Sequence, residues 1–298
     1  MRAALAGRTV AGMTIALEKH TRQRLLEGVS VRERRLEPAG ISTAVLEGGD
    51  GPPLILLHEV GAFAAQWLRV MPELVTSHRV IAPDLPGHGE TDLGEGELDV
   101  DRVLRWLEEL IEHTCDAPPA LVGHLGSGSI AARFAVERGD RLSALVLVDS
   151  FGLGKFRPAP GFALALLRYV GRPNARTYRG LMQRCTHDFA EVRAGLGERW
   201  GAFEDYSLEG ARSPRGKAAL RVLMRELAVP TIPEADLARI AVPTTLIWGR
   251  HDPVMRLRVA EGASDRYGWP LKVIEDAGDD PALEQPAAFL LALREALG

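Results

Sequence analysis

Residues able to do acid, base or nucleophilic chemistry cluster where apolar runs give way to polar or glycine-rich sequence. His58 and Glu59 follow Leu54-Ile55-Leu56-Leu57, His124 and Ser127 flank the end of Ala120-Leu121-Val122-Gly123, Asp252 follows Thr245-Leu246-Ile247-Trp248-Gly249, and Asp279 follows Leu271-Lys272-Val273-Ile274-Glu275. Carboxylates and imidazoles in such places suit proton transfer, provided burial or a like charge brings their pKa toward the working pH. Serine becomes a nucleophile only beside a base, and Ser127 falls in the first turn of a predicted helix, where a small residue with a capping hydroxyl serves packing; Ser129 is a weaker candidate still. A hard cation could sit among Glu59, Asp252 and Asp279, but no compact carboxylate motif accompanies them, so no metal is expected.

These residues need a scaffold, and the apolar runs supply one. Four of them, Leu54–His58, Val80–Asp84, Ala120–His124 and Leu145–Asp149, read as buried strands, with Thr245–Gly249 and Leu271–Glu275 as two more. Helical patterns lie between them. In Val100–His113, Val103, Leu104, Trp106, Leu107, Leu110 and Ile111 form one stripe. Strands alternating with helices predict an α/β fold, a mostly parallel sheet with helices on both faces and its chemistry beyond the C-terminal strand ends. Ser30–Leu36 and Ile41–Leu46, meeting at Pro38-Ala39-Gly40, predict an antiparallel edge.

Residues 152–240 interrupt the alternation with mainly helical sequence, and the helices around Gly161–Val170 and Gly216–Leu227 have the placement of a lid. The expected division is an N-terminal helical extension over 1–29, a core formed by 30–151 and 241–298, and an inserted helical cap over 152–240, with a last helix from Ala282 to Leu297. The extension reads as an amphipathic helix offering Ile15, Leu17, Leu25 and Leu26 to a groove or to a partner subunit, so an oligomer could form through it.

With 298 residues, 46% of them hydrophobic, the chain can bury a large core. Its formal net charge of −4 gives no footprint for nucleic acid or an anionic membrane, so a small molecule is the expected partner and neither of those is. No stretch approaches the roughly 20 apolar residues of a membrane span. Cys115 and Cys185 match no ligand or redox spacing and read as ordinary thiols in a reducing, cytoplasmic setting. Gly123-His124-Leu125-Gly126-Ser127-Gly128 is not a dinucleotide fingerprint, and no cofactor is expected.

From about residue 30 onward the chain resembles the α/β-hydrolase superfamily, and specifically a capped serine hydrolase. Four segments carry the resemblance: Leu57-His58-Glu59-Val60-Gly61, Asp84-Leu85-Pro86-Gly87-His88-Gly89, the turn at Gly123, and Trp248-Gly249-Arg250-His251-Asp252-Pro253-Val254. The resemblance implies a nucleophile at the position of Leu125, a catalytic histidine at that of Asp279 and the triad acid at Asp252. Leucine cannot attack a carbonyl, so two of three triad positions are replaced. By the same resemblance the amides of Val60 and Gly126 would form an oxyanion hole, and Glu59 stands where such loops carry glycine.

Asp252 and Asp279 are then expected to face each other and share a proton, beside an apolar wall from Leu125; the alternative is that both are solvated or paired with cations such as Arg250. The substrate pocket is expected to be formed by Leu125, His58, Val60, His124, Gly126 and Ser127. His58, His88, His124 and His251 read as structural, His20, His78 and His113 as surface positions, and His187 as a cap residue that could point into the pocket. The resulting expectation is a non-hydrolytic enzyme of this fold performing isomerisation, cyclisation, elimination or carbon–carbon cleavage with Asp279, Asp252 and Glu59. Two alternatives stand beside it: a catalytically dead relative that binds a ligand or partner, and a hydrolase using a displaced Ser127 or an acid-activated water.

Overall fold

A computed structural model describes residues 21–298. Eight strands form one sheet: β1 (Arg32–Leu36), β2 (Thr43–Gly48), β3 (Pro53–Leu57), β4 (Arg79–Pro83), β5 (Ala120–His124), β6 (Ala144–Val148), β7 (Thr244–Gly249) and β8 (Leu271–Ile274). Their order is β1-β2-β4-β3-β5-β6-β7-β8, with β1–β2 and β2–β4 antiparallel and the rest parallel. The expected α/β class, with its antiparallel edge, is what forms.

Central strands are apolar on both faces because helices cover both. Every residue of β5 and β6 is buried. In β3 the alternation divides the core, Ile55 and Leu57 joining the layer that contains Trp106 and Phe134, and Leu54 and Leu56 the layer with Trp67 and Phe289. β1, at the edge, reads Arg-Glu-Arg-Arg-Leu and is largely exposed, a charged border that discourages further strand pairing.

The helix Val100–Thr114 starts where the Asp99 carboxylate caps the Arg102 amide at 2.8 Å, and its predicted stripe is buried. Between β6 and β7 the chain runs through the helices Pro160–Gly171, Ala175–Cys185, Phe189–Leu196, Trp200–Arg212 and Pro214–Leu223. The last of these continues as a π-helical turn over Met224–Ala228 rather than as regular helix to Leu227. The C-terminal helix is also split, into Pro281–Glu284 and Pro286–Leu297, because Pro286 drives Gln285 out of helical geometry (φ −124°, ψ 63°).

Ile15 and Leu17 lie outside the described residues. Leu25 is completely buried in its own chain's core and Leu26 packs against the same cluster, so this part of the extension is spent on the fold itself. Arg22 anchors it, at 2.9 Å from the fully buried Asp84. Among the described residues no helix is long and apolar enough to cross a membrane.

Candidate active site

Beyond the C-terminal ends of the parallel strands lies a cavity of about 610 Å³. Aromatic and aliphatic side chains from the inserted helices wall it, including Phe162, Tyr169, Tyr178, Leu181 and Phe203. Glu59, Asp279 and Asp280 line it from the strand-end loops, and Arg215, Lys217 and Arg221 from the helix Pro214–Leu223.

The turn after β5 carries the clearest backbone feature. Leu125 has φ 46° and ψ −113°, a conformation that costs a non-glycine residue about 1–3 kcal/mol and persists only where the surroundings fix it. Its amide donates to the Val148 carbonyl at 2.9 Å, and its carbonyl accepts from Gly128 at 3.0 Å and Phe151 at 3.1 Å. Small neighbours make room: a Cβ on Gly123 would come within 2.7 Å of the Ser127 carbonyl oxygen and 2.8 Å of Gly128 Cα. The sharp turn is thus built in full around a completely buried leucine.

Ser127 is equally buried and its hydroxyl is committed. Oγ donates toward the Leu57 carbonyl at 2.8 Å and accepts the His124 amide at 3.0 Å, tying β3 to β5. Behind the cavity, His58 accepts the Leu85 amide on Nε2 at 2.9 Å and meets the Glu59 carbonyl through Nδ1 at 2.8 Å. Burial pushes His58 down to about 3, against the pull of Asp84, so it stays neutral. Of the six residues expected to form the pocket, only Val60 reaches the cavity wall; Leu125, His58, His124, Gly126 and Ser127 lie beneath it as support. The reason is that the strand-end loops fold over the strand ends. Gly126 lies directly under Val60, where an added Cβ would come within 2.8 Å of Val60 Cγ2.

The acids are gathered more closely than their sequence spacing announces. Asp279 is almost completely buried, its amide donating to the Cys185 carbonyl at 3.1 Å and its carboxyl meeting the Cys185 thiol. Burial first, then the neighbouring Asp280, pushes the Asp279 carboxyl up to about 7. Glu59, half-buried on the cavity wall, is raised well above the usual carboxylate range by desolvation and by Asp279, Asp280 and Asp252. Asp280 is held by Gln66, whose Nε2 donates to Oδ2 at 2.5 Å.

Asp252 does not line the cavity, and the acid it touches is not the expected one. Its Oδ1 accepts the Val254 and Met255 amides at 2.6 and 3.0 Å, and its carboxyl contacts that of Asp149, with Asp279 acting on it through charge. Asp149 follows β6 with φ 45°, which turns it toward the end of the neighbouring β7, where Oδ1 accepts the Gly249 amide at 2.9 Å. Its Oδ2 is buried and finds no donor N–H or O–H group. Two acceptors meet there, and the contact becomes a hydrogen bond when one holds a proton. Burial raises both carboxyls, helped in Asp149 by Asp252 and in Asp252 by Asp279.

His88, read as structural, lines the cavity as well, with Nε2 accepting the Gly61 amide at 3.0 Å. His187 does not enter the cavity; it is exposed and stacks on His251 with ring centroids 4.4 Å apart. With Asp276, these two place donor atoms within 4.8 Å of one another, the one grouping among the described residues that could hold a metal ion, and it stands outside the cavity. Arg250 pairs with Glu275, not with the buried acids. Sequence reasoning passed over Asp149, Gln66 and Asp280, and read Cys185 as an ordinary thiol. Only Asp280 carried a signal, as the neighbour of a singled-out acid.

A family model described as the alpha/beta hydrolase family matches residues 54–292. A 2-hydroxymuconate semialdehyde hydrolase of Pseudomonas sp. (strain CF600) is 30% identical over 274 residues, covering 86% of this chain and 90% of the relative. A 2-hydroxy-6-oxo-6-(2'-aminophenyl)hexa-2,4-dienoic acid hydrolase of Metapseudomonas resinovorans is 27% identical over 270 residues, covering 86% and 88%. Among solved structures, the 2-hydroxy-6-oxo-6-phenylhexa-2,4-dienoate hydrolase of Rhodococcus sp. strain RHA1 superposes with a TM-score of 0.77 at 23% identity, covering 89% of this chain and 98% of that one, a likeness of fold.

Proposed function

The chain belongs to the alpha/beta hydrolase family, and from that premise we propose that it transfers protons on a small carbonyl compound without forming a covalent acyl-enzyme. The observation that carries this reading is the pairing of a buried leucine in the strained turn with two acids, Asp279 and Glu59, on the wall of one cavity whose surroundings raise their pKa. Leu125 offers no nucleophile, and the Ser127 hydroxyl is already engaged by two backbone groups.

Asp279, brought to about 7, can either give or take a proton near neutral pH and serves as the acid/base. The Val60 amide, which bonds to no described residue, would receive the oxygen of a substrate carbonyl as it becomes an enolate. Glu59, kept protonated by its surroundings, would then donate to that oxygen instead of repelling it, as a neutral carboxylic acid can in an apolar site. Burial and the neighbouring Asp280 keep the proton affinity of Asp279 high. Isomerisation is the simplest outcome of such a site.

The dienol 2-hydroxymuconate semialdehyde, taken from the name of the Pseudomonas relative, is a suitable probe. Incubation in D₂O followed by mass spectrometry should show deuterium uptake or isomerisation at unchanged carbon count, abolished in Asp279→Asn and retained in Ser127→Ala. Cleavage into two carbon fragments would instead support a hydrolase that activates water by an acid. Tight binding with neither exchange nor cleavage would support a ligand-binding protein.

A further inference from the structure

Between Asp149 and Asp188 the sequence contains seven Lys or Arg and no Asp or Glu, in a chain whose net charge is −4. All seven, from Lys155 to Arg184, are exposed. Only Arg179, paired with Glu204 at 2.6 Å, forms an ion pair with another described residue. Net charge averages this patch away, which is why composition gave no sign of it.

The same stretch contains the helix Pro160–Gly171, which is apolar nearly all round. Phe162, Leu166 and Tyr169 face the cavity. On the outer side Leu164, Leu167 and Val170 are 50, 71 and 49% exposed, three of the five large hydrophobic side chains exposed among the described residues. A helix apolar on every side is at home in a protein core or in lipid, not in water. Arg168 and Arg172 flank the exposed stripe. Val170 belongs both to the stripe and to the cavity lining, so the cavity reaches the surface beside the exposed leucines.

We propose that the outer face of the helix Pro160–Gly171, with the cations around it, docks on an anionic lipid surface and opens the cavity toward it. The leucines would enter the boundary of headgroups and acyl chains while the arginines meet lipid phosphates, the arrangement of an interfacial amphipathic helix. A second copy of the chain is a poorer occupant, since a two-fold contact would set the uncompensated cations against their own kind. Nucleic acid would leave the leucines without a partner. On this reading, which rests on the cavity but not on its chemistry, the ligand reaches the cavity from the lipid phase.

The test is co-sedimentation of the full chain with vesicles of phosphatidylcholine alone and of phosphatidylcholine mixed with phosphatidylglycerol. Binding is expected to the anionic vesicles only, and to weaken strongly as salt rises from about 0.1 M to about 0.5 M, where the Debye length is well below 10 Å. Leu164→Asp with Leu167→Asp, and separately Arg168→Glu with Arg172→Glu, should each lower the bound fraction at least about tenfold. Because these side chains are exposed, the variants should melt with the parent. Leu291→Asp, at a 58% exposed leucine on the C-terminal helix, should bind as the parent does. Absence of binding to either vesicle, or binding indifferent to the Leu164/Leu167 pair, overturns the proposal. So does concentration-dependent self-association that the same pair abolishes, which would assign the face to a second copy.

Discussion

His124 Nε2 stands 2.6 Å from the carbonyl oxygen of Asp279. A carbonyl only accepts, so this nitrogen carries the proton and Nδ1 is left to accept from Gln66 Nε2 at 3.2 Å. Gln66 reaches Asp280 Oδ2 with the same amide nitrogen. One buried chain of polar groups therefore runs from Asp280 through Gln66 and His124 to the Asp279 backbone, fixing where that carboxyl can stand. The histidine next to the strained turn acts as a support, and proton chemistry is left to the acids it positions.

Ser127→Ala measures support of the same kind. The hydroxyl bridges the Leu57 carbonyl and the His124 amide in a completely buried setting, and its removal leaves both without that partner. A buried polar group left unsatisfied costs about 1–3 kcal/mol, so urea denaturation should show a loss of that order while deuterium exchange into the probe persists. An unchanged denaturation midpoint with lost turnover would return Ser127 to the role of nucleophile.

Arg22 makes the other buried commitment. It lies 4% exposed between Asp84 and Glu33, and Asp84 in turn accepts the Ala64 amide at 2.6 Å and the Glu90 amide at 3.0 Å. Arg22→Ala strands a fully buried carboxylate that organises two strand-end loops. Breaking a buried pair from one side typically costs about 3–5 kcal/mol, and chemical denaturation should find a loss in that range. Loss below about 1 kcal/mol would mean the extension is not an integral part of the fold.

Much of this was legible because buried parallel strands are written as apolar runs. All eight strands follow from local sequence, and the acids Glu59 and Asp279 at their ends follow from the resemblance. What stayed hidden depends on tertiary placement. Asp149 is an unremarkable residue at a strand end until its positive φ turns it onto Asp252. Cys185 arrives beside Asp279 only because the inserted helices return to the sheet there. The expected Asp252–Asp279 dyad went astray for the same reason: a resemblance assigns positions along the chain, whereas hydrogen bonding is decided by which side chains are turned toward one another.

Glu59 offers a test that separates its charge from its size. If it works as a protonated donor, Glu59→Gln keeps a neutral donor of the same length and should hold exchange activity within about tenfold, whereas Glu59→Ala should lose about 100- to 1,000-fold, the usual cost of one oxyanion donor. Exchange rates on the dienol probe at neutral pH give the comparison. Equal loss in both variants would make Glu59 a base that must ionise, and equal activity in both would place it outside the chemistry.

Asp279 makes the stability of the whole fold depend on pH, with a sign that is fixed in advance. Burial and Asp280 hold its folded pKa near 7, above the value of about 3.9 for an unfolded aspartate. Below pH 4 the carboxyl is protonated in both states and contributes no difference. Between about pH 4 and 7 the unfolded chain ionises while the folded chain keeps its proton, so folding loses up to about 1.4 kcal/mol for each pH unit, and above the folded pKa the penalty levels off. Glu59, raised in the same direction, adds to the slope. Asp279→Asn removes one titrating group, so its thermal denaturation should fall less steeply across this window and the variant should exceed the parent in stability at pH 8. Parallel curves for the two proteins would show that Asp279 ionises freely in the fold, and a carboxyl that does so is no longer poised to give a proton at neutral pH.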